Sequence, residues 1–173
     1  MVRFDGHAHR SLAGLPGMAG RTVKIGSAGK IFGLTGWKVG WMAFADPAIR
    51  DGLARAHQFL TYTTPPALQW AVAEGLALPD DWFARQLAGW AASRERLRAG
   101  LAGAGLAVLP NAATWFLCVD LAASGIALDD RTFCERAVAE AGVAAIPLSA
   151  LYEADDAPRH IVRFCFTKPD AML

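Results

Sequence analysis

The sequence predicts an α/β fold, and three observations carry that expectation. Short β-branched or alternating runs are interleaved with stretches of helical period along the 173 residues. Proline and glycine punctuate the boundaries between them. One long amphipathic stretch separates an N-terminal block of mixed elements from a C-terminal one, which suggests two lobes. The divisions fall at 1–78, 79–103 and 104–173.

In chain order, Leu15-Pro16-Gly17 forms a turn and Thr22 to Ile25 reads as a short strand. A segment of small residues, Gly26 to Lys30, follows, and Lys38 to Phe44 reads as a second strand. Asp46-Pro47 opens a helix through His57, with proline at the first helical position. Pro65-Pro66 repeats that signal for a helix from Ala67 to about Leu76. Pro79-Asp80-Asp81 starts the longest helix, whose Phe83, Leu87, Trp90, Leu97 and Leu101 recur at helical spacing and form one buried stripe. Arg94, Arg96 and Arg98 ride its far half, where cations suit the helix C-terminal dipole. Strands Ala107–Leu109 and Thr114–Leu121, a helix Asp129–Ala141, and strands Val143–Ile146 and His160–Thr167 complete the chain.

Composition excludes several classes of function. With 54% apolar and 19% charged residues the chain is not a disordered tail. A net charge of +1 gives no field to draw nucleic acid or an anionic membrane, and the six tryptophans, without a basic stripe, read as core. Residues 99–119 carry no charge, yet three glycines and Pro110-Asn111 break the stretch, so no membrane span is expected. No signal peptide is expected, since Met1 to Gly6 has no apolar run before its first charges and histidines. Cys118, Cys134 and Cys165 are widely spaced and odd in number, which argues against a disulfide framework or zinc ribbon and for a reducing, cytoplasmic compartment. All three sit in apolar runs and read as small buried hydrophobes. His7 and His9 alternate as strand ligands do, but no third ligand lies near, so no metal is expected.

Lysine is scarce, at positions 24, 30, 38 and 168 only, so Lys30 in its small-residue turn stands out. A phosphate-binding P-loop fails, because Ile31 follows the lysine and Lys24 occupies the place of the first glycine. Two readings remain open: a solvated surface lysine, or an amine that condenses with a cofactor aldehyde in a crowded pocket. Ser27, three residues before Lys30, and Lys38, eight after it, supply donors for a phosphate. Near the C-terminus, alternation puts Ile161, Arg163 and Cys165 on one face and Val162, Phe164 and Phe166 on the other. A guanidinium among apolar residues needs an anion, either a structural carboxylate or a ligand.

The run from Arg21 to Trp41, RTVKIGSAGKIFGLTGWKVGW, resembles the cofactor-lysine signature of class I pyridoxal-phosphate aminotransferases. It is most similar to the kynurenine/glutamine, methionine and succinyldiaminopimelate aminotransferase branch. The resemblance implies the C-terminal portion of a fold-type I enzyme: part of the large-domain mixed sheet, a long linking helix and a small α+β domain. It implies pyridoxal 5′-phosphate as cofactor, Lys30 as the Schiff-base lysine that also moves the substrate Cα proton, and Ser27 and Lys38 as holders of the 5′-phosphate. His160 to Asp170 is similar to the strand carrying the substrate-carboxylate arginine, which would be Arg163. His57 to Pro65 is similar to a segment that reaches toward the neighbouring subunit's site in a homodimer, with Tyr62 and Thr63 there. Pro110 to Phe116 is similar to a small-domain loop that usually reads Gly-Thr-Tyr-Phe, with Ala113 for the glycine and Trp115 for the tyrosine.

The implied activity is transfer of an amino group from an α-amino acid to a 2-oxo acid. A carbon–sulfur β-lyase on the same scaffold is the neighbouring alternative. The family's upstream half, with its pyridine-ring Asp, its Asn and Tyr and its phosphate-binding turn, has no counterpart in these residues. The family also continues past Leu173 into a final helix. A catalytically inactive fragment, or one half of a complementing pair, is therefore also expected from the sequence.

Overall fold

The computed structural model describes residues 2–154 and 156–173, which form two compact units. One unit is His9–Trp82; the other joins the N-terminal residues up to Ala8 with Phe83–Leu173.

The first unit is built on an antiparallel pair, β1 (Lys24–Ser27) and β2 (Gly40–Ala43), in which Gly26 faces Trp41. The Trp41 indole lies where any Cβ at position 26 would be, so only glycine fits there. Between the strands stand a single turn of helix, α1 (Ala28–Ile31), and a 3-10 turn, Thr35–Trp37. Two helices follow, α2 (Pro47–Leu60) and α3 (Pro66–Leu76). Asp46 caps α2 by accepting from the Ala48 N–H at 2.8 Å. Ala28, Val39 and Val72 form the core of this unit, with Phe32, Trp37, Trp41 and Leu68 packed on it.

The second unit is a four-stranded antiparallel sheet in the order β3-β4-β6-β5: β3 (Ala107–Val108), β4 (Phe116–Asp120), β5 (Ile146–Pro147) and β6 (Ile161–Cys165). The long helix α4 (Asp80–Gly103) and α5 (Asp130–Ala141) supply the apolar cover. Leu117, Val119, Val162, Phe164 and Phe166 are buried under Leu87, Trp90, Leu97, Leu101 and Phe133. The alternation expected of residues 161–166 is thus the observed one. Asp129 caps α5 through the Arg131 and Thr132 amides, and Gly142 ends it at φ 66°.

Several expectations are corrected. The first strand begins at Lys24 rather than Thr22, because its ladder partners are Gly40–Ala43 and Thr22 instead bonds back to the Met18 carbonyl at 2.7 Å. The strand expected over 143–146 is the two-residue β5, since only Ile146 and Pro147 find partners on β6. Arg94, expected only to complement the dipole of the long helix, has a specific partner instead. It lies in the apolar stripe, is buried, and grips Asp5 with two bonds of 2.9 Å while stacking 4.4 Å above the Phe4 ring. Only Cys134 is fully buried; Cys118 and Cys165 are half-buried on the sheet face opposite the helices. Among the described residues no helix is long and apolar enough to cross a membrane, and no three metal-ligating side chains cluster.

Candidate active site

The local sequence dictates how the lysine segment folds. β1 ends at Ser27, whose extended backbone (φ −136°, ψ 119°) makes it the residue before the first turn of α1. Lys30 follows three positions later, the spacing that puts two side chains on one side of a helical turn. The Ala28 N–H donates to the Val39 carbonyl at 3.0 Å, which draws the return strand against the turn. Lys38 ends the 3-10 turn in the left-handed region, φ 55° and ψ 34°, an uncommon conformation for a lysine.

The result is a cleft of about 380 Å³ lined by Ser27, Lys30, Thr35 and Lys38, with Gly29, Val39 and Gly40 completing the wall. That size lies in the range of small-molecule sites. Among the described residues, its polar side chains are those of two lysines, a serine and a threonine, with no carboxylate. A donor set of this kind suits an anionic phosphate ester, and a primary amine beside it suits a carbonyl. A second hollow, of about 410 Å³ between Leu101, Phe133 and Phe164, is apolar, and its polar groups are the ion-paired Arg136 and Glu140. It offers no such set.

Arg163 lies in the other unit, on β6, opposite Cys118 of β4 and Ile146 of β5. Its guanidinium carbon is 4.0 Å from the centre of the Phe116 ring, and its Nε is buried without a hydrogen-bond partner. Among the described residues no carboxylate pairs with it. Burial pushes the Cys118 thiol above the ordinary thiol range, and the Arg163 charge pulls it partly back.

Tyr62 and Thr63 follow α2 and are not part of the cleft lining. Tyr62 stands in the left-handed region at φ 61° and is 76% exposed, beside Phe59 and Leu60, which are exposed too. The structure therefore gathers Ser27, Lys30 and Lys38 in one cleft, with Tyr62 and Thr63 elsewhere in that unit. Thr35 also lines the cleft, and sequence reasoning missed it. The available signal was a hydroxyl next to glycine, between the two lysines, in Leu34-Thr35-Gly36.

Comparison with known proteins adds to this geometry. The family described as aminotransferase class I and II matches residues 7–173. The Mycobacterium tuberculosis protein named probable N-succinyldiaminopimelate aminotransferase is 41% identical over 179 residues, covering 98% of this chain and 44% of that protein. The methionine aminotransferase of Escherichia coli is 37% identical over 180 residues, with 99% and 44% covered. The solved structure of the M. tuberculosis N-succinyldiaminopimelate aminotransferase superposes with a TM-score of 0.91 at 42% identity, again over 99% of this chain and 44% of that one.

Proposed function

Because the chain belongs to the class I and II aminotransferases and shares their fold-type I architecture, we propose that it serves transfer of an amino group from an α-amino acid to a 2-oxo acid, with pyridoxal 5′-phosphate as cofactor. The chain spans 44% of the length of the relatives it matches. It contributes to that reaction a cofactor lysine, two phosphate-holding groups and a carboxylate-holding arginine. The observation that carries this reading is the meeting of Ser27, Lys30 and Lys38 in one cleft free of carboxylates.

Each residue has a physical task. The Lys38 ammonium and the Ser27 hydroxyl hold the phosphate, the first as a point charge and the second as a neutral donor. The Lys30 amine would hold the cofactor at its aldehyde carbon; once the substrate's amine has displaced it there, the freed nitrogen would take the proton from the substrate Cα and deliver it to that former aldehyde carbon. When bound, pyridoxal 5′-phosphate supplies the electron sink that acidifies that Cα–H bond. Arg163 receives a substrate carboxylate in a bidentate fork, with the Phe116 ring holding the guanidinium plane. In a homodimer, Tyr62 and Thr63 serve the neighbouring subunit's site.

The test is product analysis. The chain, supplied with pyridoxal 5′-phosphate and 2-oxoglutarate, is offered methionine, kynurenine and N-succinyldiaminopimelate, with Lys30→Ala as control. Glutamate formed in step with a new 2-oxo acid, and lost in the control, is the expected result. Glutamate formation that survives Lys30→Ala contradicts the proposal.

A further inference from the structure

Resting on the assignment of Lys30 as the cofactor lysine, we propose that Thr35 is a positioning residue, which holds the Lys30 turn in place through Gly29. The turn cannot hold itself. α1 has only four residues, a single turn that ends with the Phe32 N–H donating to the Ala28 carbonyl at 2.9 Å. A helix that short is not stable alone, so its geometry has to be imposed by what packs against it. The carbonyl next in line, that of buried Gly29, accepts instead from the Thr35 hydroxyl at 3.3 Å.

The backbone of Thr35 is also seated directly on Gly29. A Cβ at position 29 would lie 3.0 Å from the Thr35 Cα and 3.4 Å from the Leu34 carbonyl oxygen and the Thr35 nitrogen. Thr35 then opens the 3-10 turn that ends in the left-handed Lys38. One residue therefore touches the turn carrying the amine and starts the turn carrying the second cation. It sets the spacing between Lys30 and Lys38 across the cleft. The hydroxyl bond is longer than the usual 2.5–3.0 Å of O–H···O pairs, so the close backbone seat carries more of this coupling than the hydroxyl does. Gly29→Ala is accordingly the stronger perturbation, and Thr35→Val the weaker.

The experiment compares wild type, Thr35→Val, Thr35→Ser, Gly29→Ala and Lys30→Ala by two measurements. Amide hydrogen exchange of the ligand-free chain reads the Phe32 amide against the amides of Gly26 and Trp41, which face each other across the β1–β2 pair. Equilibrium titration reads affinity for pyridoxal 5′-phosphate and for pyridoxal, which lacks the phosphate. Thr35→Val is expected to speed Phe32 exchange about five-fold, the worth of one ordinary hydrogen bond, and Gly29→Ala to speed it more, with the strand amides unchanged. Both variants are expected to weaken both aldehydes, the phosphate ester the more because the turn carrying Lys38 shifts as well, and Thr35→Ser is expected to bind them as wild type does. Unchanged Phe32 exchange in both variants overturns the proposal. So does equal acceleration of the strand amides, which would make Thr35 a general stabiliser, and so does a loss confined to the phosphate ester, which would make it a phosphate ligand. If Lys30→Ala binds both aldehydes as wild type does, the lysine assignment falls, while the exchange data still decide whether Thr35 holds the turn.

Discussion

The guanidinium carbon of Arg163 lies 4.0 Å from the centre of the Phe116 ring, diagonally across the β4–β6 ladder, on the sheet face turned away from α4 and α5. The ring orients the guanidinium and covers one of its faces, and the buried Nε takes no protein acceptor. Arg163 as a residue is half-buried and its Nε is buried without a partner, a cost that a carboxylate bound there would offset.

Replacing Arg163 by leucine is therefore expected to raise the concentration of amino acid needed for half-maximal turnover by about 10- to 100-fold, the usual worth of a charge-assisted pair. Arg163→Lys is expected to recover only part of that loss, because an ammonium cannot offer the bidentate fork. Steady-state kinetics on the two variants checks this, and a wild-type KM in Arg163→Leu contradicts it.

A second expectation concerns acid stability. The Arg94 guanidinium, bonded to both oxygens of Asp5, holds that carboxyl below its ordinary range. A depressed carboxylate contributes stability that is present above its unfolded value of about 3.9 and is lost as pH falls through the folded value. Thermal melts between neutral pH and about pH 2 are expected to show the wild-type chain losing stability on the acid side. Asp5→Asn removes that contribution and is expected to flatten the profile there. Parallel profiles for the two chains contradict the assignment.

Asp130 supplies a third test. It is 1% exposed and accepts from the Ser149 N–H at 2.7 Å and the Ser149 hydroxyl at 3.0 Å, tying α5 to the turn after β5. Asp130→Ala leaves both donors buried and unpaired, at a cost of about 1–3 kcal/mol for each group left without a partner. Asp130→Asn keeps an acceptor and is expected to lose less. Urea unfolding, with a lower midpoint and an unchanged slope, is the readout; an unchanged midpoint in Asp130→Ala contradicts it.

How far the sequence reveals the molecule depends on how local each determinant is. The strand around Arg163 was legible because its alternation is a period of two with one buried face, and Val162, Phe164 and Phe166 obey it. The long helix was legible for the same reason at helical period. Its buried Arg94 was not, since a charge on an apolar stripe looks solvated until Asp5, 89 positions away in the chain, is brought to it. The Lys30 turn escaped as a helix because four residues, Ala28 to Ile31, are too few to carry a period. Thr35 escaped because its role lies in a contact with a glycine, and a glycine displays nothing in sequence to be contacted. Lys38 was legible as a charge at a telling distance from Lys30, while its left-handed backbone was not. The division between lobes is likewise a tertiary matter, since the residues up to Ala8 join Phe83–Leu173 in one unit.

The most direct test of the central claim is an absorbance spectrum of the purified chain after incubation with pyridoxal 5′-phosphate and dialysis, recorded beside Lys30→Ala. A visible band that survives dialysis in the wild-type chain and is absent from the variant is the expected result. Such a band would place the covalent attachment on Lys30 rather than on Lys24, Lys38 or Lys168. No band, or one of equal intensity in the two proteins, would contradict the assignment of this cleft as a cofactor site.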